Sequence, residues 1–172
     1  MTGERRGETV DEAQEWLSTV APGDRWREHR TAAVPSSPQT VSVGLAAVPE
    51  SVREARDFVQ DVLRSWGLVG MCDDVRLVVS ELVTNALRHA AAYAAGHHGS
   101  TPIRVSLLRT GGRLTCAVTD PCDQIPVRRE PDWISQSGRG LHLVEAFSDS
   151  WNWAPLSSHG KVVWACFLCP GC

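Results

Sequence analysis

From Val41 onward apolar residues recur with regular spacing; before it they do not. VSVGLA, starting at Val41, reads as a short strand. Pro49 then opens a helix, a position where its missing N–H costs nothing. Val52, Ala55, Val59, Val62, Leu63 and Trp66 share one face of that helix, and Gly67 stops it. Asp73 and Asp74 begin a second helix, where acidic residues suit both the cap and the dipole. Its apolar stripe is Val75, Val78, Val79, Leu82, Ala86 and Ala90, and it fades near the Gly96–Gly99 loop. Strands are predicted at about 103–109 and 114–119, joined by a Gly111-Gly112 turn. A long loop covers 120–137, a helix starts after Gly138-Arg139-Gly140 and runs to about Phe147, and strands follow near 148–154 and 161–168. Strands and helices are partly segregated along the chain. This predicts an α+β two-layer sandwich of helices on a mixed, mostly antiparallel sheet.

Residues 1 to about 40 are charged, then rich in Ala, Pro, Ser and Thr, apart from a short helical pattern at Asp11–Val20. Such a segment buries too little apolar surface to offset its ordering entropy and reads as a mobile tail. The pattern therefore divides the chain into a tail (1–40), one domain (41–168) and a cysteine-containing end (169–172).

Composition narrows the classes. With 172 residues, 42% hydrophobic and 22% charged, the chain can build one ordinary globular core. A net charge of −3 argues against nucleic acid as the direct partner, because phosphate binding needs a basic surface. No apolar run approaches a membrane span, and the N-terminus carries no apolar signal region, so a cytoplasmic protein away from membranes is expected. Its six cysteines then read as thiols.

Three short segments carry candidate chemistry. Glu81 and Asn85 are i and i+4 on the second helix, at the border of its apolar stripe, with Thr84, Arg88 and His89 beside them. A carboxylate and an amide oxygen there can hold a hard cation such as Mg²⁺ or position a hydroxyl; taken alone they read as a solvated helix face. Asp120 ends an apolar strand and precedes Pro121. It reads as a turn residue, or as an acceptor for the exocyclic amine of a purine. Ser137-Gly138-Arg139-Gly140-Leu141 leads into an apolar helix. Its backbone N–H groups and the helix dipole suit an anion, and Arg139 suits a phosphate.

ELVTNALRHA on a helix, VTD at a strand end and GRGLHLV before a helix together resemble the N-box, first glycine box and second glycine box of the GHKL ATPases. The resemblance spans roughly residues 41–168, framed by VREARDFVQDVLRSWGL and GKVVWACF. It is closest to the RsbW/SpoIIAB-like branch, serine/threonine kinases that phosphorylate an antagonist protein and sequester a sigma factor. The resemblance implies ATP and Mg²⁺ as ligands, a sigma factor and a STAS-type antagonist as partners, and homodimerisation. It implies that Asn85 coordinates Mg²⁺, that Glu81 is the general base, and that Asp120 reads the adenine amine. Gly138, Arg139, Gly140 and Leu141 supply the phosphate-binding turn, and Arg88 and His89 border the nucleotide.

The chain departs from the family pattern in places. Cys122 stands where a small residue follows Asp120-Pro121, and Asp123 adds negative charge. Val162 occupies the place assigned to a threonine that holds a water against the adenine. These departures imply modest affinity and keep a second function open, a binding module that sequesters a partner without catalysis. The spacing of Cys166, Cys169 and Cys172, with Cys122 or His97 as a further ligand, admits a metal site or redox-active exposed thiols at Cys169 and Cys172. It reads first as buried free cysteine. His97-His98 reads as a solvated loop, Trp66 and Trp164 as buried, and Trp133 as a cover for the core edge or a partner contact.

Overall fold

The computed structural model describes residues 38–94, 103–123, 126, 140–156 and 160–169, the side chains of 91–94 excepted. The predicted tail helix and the segments holding His97, His98 and Trp133 lie outside the described residues.

The sheet is organised by the Gly111-Gly112 turn between β2 (Ile103–Thr110) and β3 (Arg113–Asp120). Both glycines have positive φ, 56° and 76°, the pair of left-handed conformations that matches hairpin twist and that side chains resist. β1 (Gln39–Leu45) pairs with β2 and begins two residues before the predicted Val41. β4 (Ser150–Pro155) and β5 (Lys161–Leu168) form a second hairpin, giving the order β1-β2-β3-β5-β4. Every pair is antiparallel, so among the described strands the sheet is not mixed. The connection through the last helix delivers the chain to the sheet edge at β4. The hairpin then turns β5 back beside β3.

Side-chain alternation gives each strand an inner and an outer face. Val105 and Leu107 of β2, Leu114, Cys116 and Val118 of β3, and Val163, Ala165 and Phe167 of β5 point into the main core. Leu108, Ala117 and Val162 form a small cluster on the opposite face with Trp164.

The helices cover the inner face. α1 (Ser51–Ser65) buries Ala55, Val59 and Leu63. Pro49 belongs to the preceding turn rather than to the helix, and the Ser51 hydroxyl donates to the Ala46 carbonyl at 2.7 Å. α1 ends in a Schellman motif: Gly67 has φ 72°, the Leu68 N–H donates to Leu63 O at 2.8 Å, and the Gly67 N–H donates to Arg64 O at 3.1 Å. After a 3₁₀ turn at Val69–Met71, α2 (Cys72–Ala94) runs across the sheet with its predicted stripe buried. α3 (Gly140–Phe147) packs on α2 and sinks Leu141 and Val144.

Three expectations of burial need correcting. Trp66 and Trp164 are half-buried. Trp66 sits at the end of α1, its carbonyl accepting from Arg109 Nη1 at 2.8 Å, and Trp164 lies on the outer face of the sheet. Cys169 is buried, not exposed, because its N–H continues the pairing past β5 by donating to Gly112 O at 2.8 Å. Among the described residues no helix is long and apolar enough to cross a membrane.

Candidate functional site

The α2 stripe fixes the first part of the site. Val78, Val79, Leu82, Val83 and Ala86 are buried, so the neighbouring Glu81 and Asn85 stand half-buried at the rim. α3 opens at that rim. A Cβ built on Gly140 would lie 2.8 Å from Glu81 Oε2, 3.3 Å from Asn85 Nδ2 and 3.5 Å from Asn85 Oδ1. The backbone at the start of α3 therefore passes against both side chains, an approach that a larger residue obstructs. Leu141 and Val144 anchor α3 in this position. Among the described residues neither the Glu81 nor the Asn85 side chain has a hydrogen-bond partner.

Two hard oxygen-bearing groups thus converge beside a helix N-terminus. This donor set suits Mg²⁺, which takes one or two protein oxygens and keeps waters or phosphate oxygens on its remaining positions. Arg88 is exposed and His89 half-buried, both one turn farther along α2. Gly138 and Arg139 lie outside the described residues.

The second part lies at the end of β3. Asp120 follows Leu114, Cys116 and Val118 in alternation and so points to the helix-covered face. It is 3% exposed. Its Oδ1 accepts the Cys122 N–H at 2.9 Å, the local turn expected of an Asp before a chain reversal. Its Oδ2 accepts from Lys161 Nζ at 2.6 Å, and Lys161, itself 2% exposed, also donates to Cys122 O at 2.9 Å. Gly160 makes this possible. It has φ 87°, and an added Cβ would stand 2.3 Å from Asp120 O. Its N–H donates to Asp123 Oδ1 at 2.6 Å, so Asp123 is tied to the start of β5.

Lys161 is the residue that sequence reasoning missed. Val162, assigned above to the place facing the adenine, instead lies in the cluster on the outer face. The inward position is Lys161, in phase with Val163, Ala165 and Phe167. The sequence did not mark that phase: VVWACFL is apolar on both faces, and a lysine is rarely buried unless it is paired.

The cysteines separate across the sheet. Cys116 points into the core, where burial, with a smaller contribution from Cys166, pushes its thiol up to about 12. Cys166 alternates onto the outer face, 3.6 Å from Thr115 Oγ1. Among the described residues no group of three or more His, Cys, Asp and Glu is disposed to hold a metal ion. Cys172 and His97 lie outside them.

The family model of the histidine kinase-like ATPase domain matches residues 45–167. No curated protein matches the chain significantly. Among solved structures, the RsbU and RsbW domains of Rv1364c from Mycobacterium tuberculosis align over 78% of this chain with 20% identity and a TM-score of 0.53. The chain spans 33% of that longer protein's length. The SiaB-SiaC complex from Pseudomonas aeruginosa aligns over 74% of this chain and 88% of the matched chain, with 14% identity and a TM-score of 0.54. At these identities the solved structures establish the shared α+β fold. With the family model covering most of its length, the chain belongs to the histidine kinase-like ATPase domain family.

Proposed function

We propose that the chain binds Mg-ATP and transfers its γ-phosphoryl group to a serine or threonine of a partner protein, as an anti-sigma-factor kinase does. The observation that carries this reading is Gly140 lying against Glu81 and Asn85. It joins an anion-favouring helix start to a metal-capable amide and a carboxylate. Asn85 would hold Mg²⁺, which supplies charge neutralisation between the phosphates. Glu81 stands beside it and accepts the proton of the attacking hydroxyl. Asp120 recognises the base, and the 138–141 turn, with Gly140 and Leu141 at its described end, receives the phosphates. Arg88 and His89 border this end of the site.

Phosphoryl transfer asks for positioning and charge compensation more than for covalent chemistry, and this residue set offers both. The partners proposed are a STAS-type antagonist as phosphoacceptor and a sigma factor as the sequestered protein, in the cytoplasm. An RsbW domain in one solved relative, and a two-protein complex in the other, support a protein partner.

Isothermal titration with ATP, with and without Mg²⁺, tests the binding. Saturable, Mg²⁺-dependent binding that is lost in Asn85→Ala is the expected result. Phosphate transfer to a STAS-type antagonist should then fall at least ~100-fold in Glu81→Ala, the range over which general bases act. Full transfer by that variant removes Glu81 as the base. ATP binding without any transfer leaves the partner-sequestering module as the function, and no binding at millimolar ATP rejects the nucleotide site.

A further inference from the structure

Asp120 and Lys161 are cross-strand neighbours at the end of the β3–β5 ladder. Both point to the inner face, both are almost fully buried, and their charged atoms stand 2.6 Å apart. Stability does not by itself account for such a pair. Apolar residues of similar volume are often as stabilising or more so, because the ions no longer have to be desolvated. A simple turn does not account for it either, since the Cys122 N–H to Asp120 Oδ1 bond already closes the turn without the lysine.

The chemistry of the carboxyl group supplies a reason. An ionised carboxylate only accepts hydrogen bonds, whereas a carboxylic acid also donates. A carboxyl group buried without a counter-charge favours the neutral form. Each Asp120 oxygen carries one of the hydrogen bonds above, which leaves each a further acceptor position. The second bond of Lys161, to Cys122 O, fixes the ammonium and with it the carboxylate plane.

We propose that Lys161 is a positioning residue for base recognition, holding Asp120 as a fixed, acceptor-only carboxylate that takes a purine with an exocyclic amine and turns away one with a carbonyl there. This rests on the reading of Asp120 as the base-recognising group. The amine of adenine donates to the free acceptor position of the carboxylate. The carbonyl of guanine or hypoxanthine places acceptor against acceptor, and the ion pair holds the carboxylate where it cannot turn away. Lys161 itself needs no contact with the nucleotide.

The test is titration of the full chain with ATP, GTP and inosine triphosphate. The variants are Asp120→Asn, Lys161→Gln, Lys161→Met and Lys161→Arg, each checked for native circular dichroism. Gln keeps hydrogen-bond donors without the charge, and Met keeps the volume without either, so the test does not depend on one variant folding. The wild-type chain should prefer ATP over both carbonyl nucleotides by ~10-fold or more, the weight of one charged hydrogen bond. Lys161→Gln and Lys161→Met should lose most of that preference, and Lys161→Arg should keep it. A merely structural lysine would weaken all three nucleotides alike. Preference lost in Asp120→Asn but intact in both neutral lysine variants overturns the proposal and leaves the reading of Asp120 standing. Unchanged ATP binding in Asp120→Asn, or no preference in the wild-type chain, removes that reading and the proposal with it.

Discussion

The two ends of the candidate site are built in opposite ways. At the sheet end the chain satisfies its own polar groups. Asp120 takes the Cys122 N–H and the Lys161 ammonium, Lys161 reaches Cys122 O, and Asp123 takes the Gly160 N–H. At the helix end the side chains of Glu81 and Asn85 meet the backbone of Gly140 and have no hydrogen-bond partner among the described residues. Apolar neighbours on α2 and α3 hold that end in place. Folding thus fixes the geometry of the first end through its polar bonds and that of the second in spite of its polar groups. The sheet end should therefore matter to stability as well as to base recognition, and the helix end to ligands alone.

The largest effect should come from breaking the buried pair. Asp120→Ala leaves an ammonium without its counter-charge, and Lys161→Ala leaves a carboxylate. Each should cost about 3–5 kcal/mol in urea unfolding. The double variant should cost less than the sum of the two, because it leaves neither charge behind. Glu81→Ala and Asn85→Ala should change stability by only ~0.5 kcal/mol, as expected for rim positions with no such partner. If Glu81→Ala destabilises as much as Lys161→Ala, the two ends are not built differently.

Cys116 sharpens the contrast, because it lies on the same face of β3 as Asp120 but is buried without a counter-ion. Its folded thiol titrates near 12 against an ordinary value of 9.0. Between those pH values the unfolded chain gives up the proton and the folded chain keeps it. Stability from this residue is therefore present below about pH 9 and lost as pH rises, by about 1.4 kcal/mol per unit. Unfolding curves at pH 8 and pH 10 should show a steeper loss in the wild-type chain than in Cys116→Ala. Equal slopes would mean that the unpartnered thiol is not held neutral by burial.

Much of this was legible in the residues because local rules decided it. The phase of Val52, Ala55, Val59 and Leu63 set α1, and the glycine pair at 111–112 set the hairpin. The spacing of Glu81 and Asn85 placed both on one helix face, and β5 was predicted with the bounds it has. What the residues left open depended on neighbours distant in sequence. The antiparallel return of β5 beside β3 follows from where α3 and β4 deliver the chain. Cys169 is buried because β5 pairing continues onto Gly112. Val162 faces outward and Lys161 inward because pairing with β3 sets the phase of β5, whose residues after Lys161 are apolar on both faces.

The smallest expected change in stability tests the helix end most directly. In Gly140→Ala the new methyl would meet Glu81 Oε2 at 2.8 Å, but that oxygen ends a flexible side chain and can swing aside. Alanine also gains on glycine in a helix, by up to ~1 kcal/mol in an interior position. The two effects oppose each other, and thermal unfolding should show a net change of ~0.5 kcal/mol or less. Function should respond differently. A swung Glu81 no longer shares one spot with Asn85, and misplacement of about 1 Å is enough to lose ~100-fold in rate. Mg-ATP affinity should fall modestly and phosphate transfer steeply, with the fold unchanged. A variant that transfers phosphate normally would show that the close approach of α3 to α2 is a packing feature. One that unfolds would show that the helix end, like the sheet end, is tied into stability.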